Sequence, residues 1–169
     1  MHAELLTTPD ALRVRWQALA SDSESPDYYE LNEYGEVILS PRPTNDHQRV
    51  AQAVAQTLTA QLGMQAVCEV SVLTDKGIRV PDVVWMSEAS WAQQKGQTPL
   101  QKVPDLCVEV LSAGNTREEI TMKIGAYLRG GASEVIVVDR LGAISYHGNE
   151  GALDRSAFNL VLALPANLF

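Results

Sequence analysis

Basic residues are scarce in this chain: 13 Lys and Arg stand against 21 Asp and Glu, which leaves a net charge of −8 and a pI near 4.8. A basic surface is the usual footprint of a protein that grips long nucleic acids by their phosphates, so this balance counts against an extended, non-specific DNA interface. A small phosphate-handling site is still compatible with it, because carboxylates gathered around a cation belong to the negative count. Cysteine is nearly absent as well. Cys68 and Cys107 lie in strand-like segments without CxxC or Cys/His spacing, which points to buried free thiols rather than a disulfide or a zinc site. No apolar run approaches the length that crosses a bilayer, and the opening "MHAELLTTPD" has no basic start leading into an apolar stretch. Neither a membrane span nor a secretory signal is therefore read, and a cytoplasmic location is expected. Repeats, low-complexity tracts and linkers are also missing, so one globular domain is expected over residues 1–169, of which 46% are apolar and 20% charged.

The patterning predicts alternating elements. "TPDALRVRWQALA" reads as a short helix with Thr8 as N-cap and Pro9 in its first turn, followed by the polar stretch "ASDSESPD". "YYEL" and "EVILS" alternate like two strands joined through "NEYG", with Gly35 at the turn. Val50, Val54, Leu58 and Leu62 recur every fourth residue with Ala51 and Ala55 beside them, a packed helix over residues 45–62 that Gly63 stops. Three strands are expected next: "AVCEVSVL", "RVPDVVWM" and, after a polar loop, "DLCVEVL". "NTREE" then starts a helix with Thr116 and Glu119 in capping-box register, and Gly130 and Gly131 end it. "SEVIVVD" is a near-continuous apolar run of the kind covered on both faces, "GAISYHG" can pair with it, and "AFNLVLAL" is read as an edge strand or a docked segment. This order implies an α/β (α+β sandwich) fold, with an N-terminal helix and hairpin ahead of the main sheet.

Three charges interrupt the apolar elements. Alternation along "PDLCVEVL" sets Asp105, Cys107, Glu109 and Leu111 on one face and leaves Leu106, Val108 and Val110 as core on the other. Asp82 shares a face with Val84 and Met86, directly after Pro81, which removes a ladder hydrogen bond. Lys123 lies within the stripe of Ile120, Ile124, Tyr127 and Leu128, so its amine points toward the sheet. An unpaired buried charge is expensive, and each of these groups needs a partner or a job. Two strand carboxylates can hold a hard divalent cation, Mg²⁺ or Mn²⁺, and leave positions for water and a phosphate oxygen; a nearby lysine then orients or deprotonates that water, or stabilises the transition state. His47, on the side of its helix that carries Val50 and Val54, and the strand acids Glu36 and Glu69 are possible supporting residues. Plainer readings stand beside these: Asp82 as a cap of an irregular strand start, Glu109 with Lys123 as a buried ion pair, Asp105 as a strand-start hydrogen-bonding residue, and the three tryptophans as packing.

"VPDVV", "PDLCVEVLS" and "REEITMKIGAYLRGGASEVIVVD", together with "YYELNEYGEVILSPRP" and "DHQRV", resemble the Uma2 family over roughly residues 28 to 147. The resemblance implies a restriction-endonuclease-like core, a central mixed sheet flanked by helices, of the PD-(D/E)xK nuclease superfamily. It also implies a catalytic set of Asp82, Glu109 and Lys123, in which Asp82 and Glu109 bind the metal. The position two after Glu109 is Leu111 rather than lysine, so the lysine role falls to Lys123 as one migrated from strand to helix. The expected function is metal-dependent cleavage of phosphodiester bonds, with DNA as partner and a homodimer as assembly. The alternatives are a catalytically inactive nuclease-fold module for binding or assembly, and a hydrolase of a smaller phosphate ester.

Overall fold

A computed structural model describes residues 8–169; the first seven residues, on which much of the reading of the N-terminus falls, lie outside the described part. Helix α1 (Pro9–Ala20) begins at the Thr8 cap, whose hydroxyl accepts the Ala11 N–H, and β1 (Tyr29–Leu31) and β2 (Val37–Leu39) form the hairpin. Helix α2 (Asn45–Leu62) ends at Gly63 with φ of 86°, a left-handed stop natural to glycine. Then come β3 (Val67–Cys68), β4 (Val72–Thr74), β5 (Gly77–Arg79), β6 (Val83–Trp85) and helix α3 (Glu88–Gln94). The second half consists of β7 (Leu106–Val110), α4 (Arg117–Arg129), β8 (Glu134–Val138), β9 (Ile144–Gly148) and β10 (Gly151–Leu153).

The strands form a six-stranded mixed sheet, in order β10-β9-β8-β7-β6-β3, and a four-stranded sheet, β2-β1-β5-β4. In the larger sheet β7 and β8 run parallel and the other pairs antiparallel, so the α4 crossover connects the central parallel pair. Helix α2 packs Val50, Val54 and Leu58 against Val83, Leu106, Val108 and Ile136 on one face of this sheet. Helix α4 packs Tyr127 against Val84, Cys107 and Val135 on the other. Both faces of β7 and β8 are thus covered, which is why every residue in those two strands is buried. The smaller sheet shares its own core with α1 through Leu12, Leu31 and Ile78. Among the described residues no helix is long and apolar enough to cross a membrane.

Three expectations are corrected. "AVCEVSVL" is two short strands, not one: the chain turns at Glu69, whose φ is 55°, so β3 joins the large sheet and β4 the small one. "RVPDVVWM" divides in the same way around Val80, Pro81 and Asp82, with β5 in the small sheet and β6 in the large. The missing N–H of Pro81 ends one ladder where the other begins. The polar loop before β7 contains α3, seven residues capped by the Ser87 hydroxyl, which accepts the Ser90 N–H. The C-terminal segment docks rather than pairs: Phe158, Leu160, Leu162 and Leu164 pack on the α2 core.

Gly77 fixes the approach of β5 to the hairpin. Its φ is 98°, and a Cβ there would lie 2.1 Å from the Leu31 carbonyl oxygen. Gly77→Ala therefore meets backbone strain, which alone amounts to roughly 1–3 kcal/mol, and a clash with rigid main chain besides. A drop in thermal stability at the upper end of that range, seen in a circular-dichroism melt, is the expected result; a melt within a degree of wild type contradicts it.

Candidate active site

The two crossovers between sheets meet. The Glu69 N–H donates to the Asp82 carbonyl at 3.2 Å, so the two breaks lie side by side at the end of β6. Antiparallel pairing of β6 with β7 ends at Val83 opposite Val108, so Asp82 and Glu109 are the next residues past the end of that ladder, near enough for the Asp82 charge to act on Glu109. Asp82 ends the ladder with its side chain: its Oδ2 accepts the Val110 N–H at 2.6 Å. The strand-cap reading of Asp82 thus describes one of its oxygens, and the other faces His47 Nε2 at 3.4 Å.

Glu109 and Lys123 are both buried. Tyr127, one helical turn beyond Lys123 on α4, donates its hydroxyl to Glu109 Oε1 at 2.7 Å, and Lys123 Nζ lies 3.5 Å from Oε2. The amine is closer to another acid. Glu30 of β1, also buried, presents Oε1 at 2.9 Å from Lys123 Nζ, and the Val80 N–H donates to the same oxygen at 2.8 Å. Its Oε2 accepts from Arg79 NH1 at 3.1 Å. Arg79 in turn donates from Nε and NH2 to the Lys76 carbonyl, so its guanidinium is fixed at both ends. The small sheet therefore delivers Glu30 and Arg79 to a cluster whose other members stand on the large sheet and α4.

His47 enters from the first turn of α2, where the Thr44 hydroxyl accepts its backbone N–H. Its Nε2 is 3.0 Å from the Val110 carbonyl and 3.4 Å from Asp82 Oδ1. Both are acceptors, so Nε2 carries the proton. Nδ1 is buried and has no hydrogen-bond partner among the described residues. Glu69 is exposed beside this corner and accepts a bond from Gln48 Nε2 at 3.0 Å. Glu36 is not brought to the cluster: it is exposed at the hairpin turn, where Asn32 Nδ2 donates to it at 2.6 Å. The hairpin acid that does reach the cluster is Glu30. Asp105 accepts the Ser87 N–H at 2.9 Å and so holds the start of α3, as a strand-start hydrogen-bonding residue does.

The electrostatics follow from the burial. Burial pushes the Glu109 carboxyl up to about 8; the charges of Asp82 and Glu30 act in the same sense, and Lys123 and the Tyr127 hydroxyl oppose them. Two carboxylates hold Lys123 well above the ordinary lysine value despite its own burial, so the amine is a cation at any working pH. The Asp82 hydrogen bond raises His47 against the effect of its burial. Because Glu109 keeps its proton in the fold up to about 8 and releases it near 4.5 when exposed, the folded state binds more protons between those values. Stability is then fully present below 4.5 and falls as pH rises through 8. His47, raised above 6.5, adds a smaller loss in the same direction. Thermal melts without divalent metal are expected to show this decline, and Glu109→Gln to reduce it to the His47 share; an unchanged slope in the variant rules out Glu109 as its source.

A hard cation is served by one or two carboxylates, with the remaining positions filled by water. Asp82 and Glu109 would serve as such a pair with the Val110 carbonyl oxygen at the same corner, and a cation there would offset the burial, and the lesser repulsion from Asp82 and Glu30, that raise Glu109. Among the described residues no group of three or more His, Cys, Asp or Glu side chains is arranged to hold a metal ion, and a cation at this corner would take two carboxylates and complete its shell with water.

Sequence reasoning missed Glu30, Arg79 and the hydroxyl of Tyr127. The signal for Glu30 was the one that marked Glu109, a charge within an apolar strand, here between Tyr29 and Leu31. Arg79 stands beside Ile78 in a strand whose three residues are all buried.

A mixed sheet covered by a helix on each face, with Asp82 and Glu109 at the end of the β6–β7 pair and Lys123 beside Glu109, defines a protein of the restriction-endonuclease-like fold. Residues 13–152 match the Uma2 family, described as "Putative restriction endonuclease", and the chain belongs to that family. Among solved structures it is similar to one described as a "putative nuclease belonging to DUF820" from Anabaena variabilis ATCC 29413. The TM-score is 0.66 at 16% identity, over 89% of this chain and 92% of that one. No curated protein matches the chain.

Proposed function

We propose that the protein is a divalent-metal-dependent nuclease that cleaves phosphodiester bonds in DNA. The observation that carries this reading is the Asp82 carboxylate on the Val110 N–H, one residue from Glu109, with the Lys123 amine 3.5 Å from Glu109. Family membership and fold support the class of activity. Asp82 and Glu109 would hold Mg²⁺ or Mn²⁺, which lowers the pKa of a bound water and neutralises charge on the phosphate. The chain's own residues supply the rest. Lys123 acts as a fixed cation that orients the attacking water and faces the phosphate, since a lysine raised above its ordinary value is a poor base. His47 holds Asp82 Oδ1 in place through Nε2. The same reading includes a cytoplasmic location and a homodimeric assembly, the second open to analytical ultracentrifugation.

The test is incubation with single-stranded, double-stranded and branched DNA under Mg²⁺ or Mn²⁺. Cleavage by the wild type supports the reading, and its absence on all three substrates sinks it. The net charge of −8 favours a second reading, hydrolysis of a smaller phosphate ester, which needs less basic surface. Turnover of bis(p-nitrophenyl) phosphate without DNA cleavage selects it. Metal binding has a readout of its own. A cation that prefers the folded state raises stability by about 2.7 kcal/mol at a hundredfold excess over Kd. Mn²⁺ should therefore raise the melting temperature of the wild type and leave Glu109→Gln unmoved, and an equal rise in both would put the ion elsewhere.

A further inference from the structure

Resting on the nuclease reading for its chemical meaning, we infer that Glu30, carried by the small sheet, is a positioning residue of the centre: it fixes the Lys123 amine that faces Glu109. Lys123 lies nearer Glu30, at 2.9 Å, than Glu109, at 3.5 Å. A lysine present only to neutralise Glu109 would sit closest to Glu109, yet the short bond to Glu109 comes from Tyr127. Glu30 does not need the amine for charge balance, because Arg79 already pairs with it at 3.1 Å. Nor is Glu30 a spare metal ligand. Two cations already face it, Lys123 on Oε1 beside the Val80 N–H and Arg79 on Oε2, and their charges repel a third cation there.

Lysine is a flexible four-carbon stem with a point charge at its end, so holding that charge in one place requires an anchor. Glu30 is rigid enough to serve. It pairs with Ile38 in the hairpin, its strand neighbour Leu31 pairs with Ile78, and its carboxylate accepts through both oxygens. The small sheet is thus part of the centre, holding from behind the amine that the large sheet's carboxylates meet from the front.

The test uses the full chain labelled with ¹⁵N-lysine, the Lys123 ammonium resonance being assigned by its loss in Lys123→Arg. The resonance is expected to persist in Glu109→Gln and to vanish into solvent exchange in Glu30→Gln. It should vanish equally in Glu30→Leu/Arg79→Met, which replaces the buried pair by apolar groups and so protects the fold if the single variant fails to form it. In cleavage, both variants should lose kcat by about 10²-fold, the scale of an ångström's misplacement, while KM and the Mn²⁺-induced rise in melting temperature stay near wild type. A wild-type resonance in the folded variants, or kcat close to wild type, overturns the assignment. A wild-type protein that cleaves no phosphodiester retires the nuclease reading instead, and the resonance alone then decides whether Glu30 anchors the amine.

Discussion

Replacing Lys123 by methionine should destabilise the metal-free protein by roughly 3–5 kcal/mol above a pH of about 8, where Glu109 is ionised, the usual penalty for removing one partner of a buried ion pair. For a chain of this size that is about 10–15 °C in melting temperature. The size follows from what the amine leaves behind. Glu30 keeps Arg79 and the Val80 N–H, but among the described residues an ionised Glu109 retains only the Tyr127 hydroxyl in a buried site. Adding Glu109→Gln to the methionine variant removes the stranded charge and should return much of the loss. Thermal melts of the wild type, the single variant and the double variant measure both effects. A single variant that melts within a few degrees of wild type would show that Lys123 is not needed to compensate Glu109.

Asp82→Asn should lower cleavage by about 10³-fold or more while leaving the fold nearly intact, since a metal ligand supplies several kcal/mol of transition-state charge stabilisation and each 1.36 kcal/mol is tenfold in rate. The asparagine oxygen can still accept the Val110 N–H that Asp82 Oδ2 accepts at 2.6 Å, so the end of the β6–β7 ladder has its cap. What disappears is the charge that acts on Glu109. Rates on a labelled oligonucleotide under Mn²⁺, read beside melts of the same preparations, separate the two roles: full cleavage by a well-folded variant removes Asp82 from the proposed metal pair, and a badly unfolded variant makes it a structural cap first.

Much of this was legible in the sequence because it depends on local periodicity. Val50, Val54 and Leu58 mark a helix at fourfold spacing whatever they pack against, and the apolar runs around Glu109 and Val135 mark strands covered on both faces. The alternation in β7 correctly separated Glu109 from Val108 and Val110, because the side chains of a strand have a strict period of two. The two sheet crossovers were not legible. Strands of two or three residues are too short to show a period, and the turn at Glu69 rests on a left-handed backbone in a residue type that does not announce it.

What the sequence determined by itself, then, was the long helices, the covered strands and the presence of three charges in apolar surroundings that needed a partner or a task. Which charge meets which was decided by tertiary structure alone. Glu30 and Lys123 come together only because β1 and α4, on different layers and far apart along the chain, are brought edge to edge by the Glu69 and Asp82 crossovers. Pattern reading shows that a buried charge requires compensation; the identity of the compensating group depends on a non-local contact, and no local propensity encodes it.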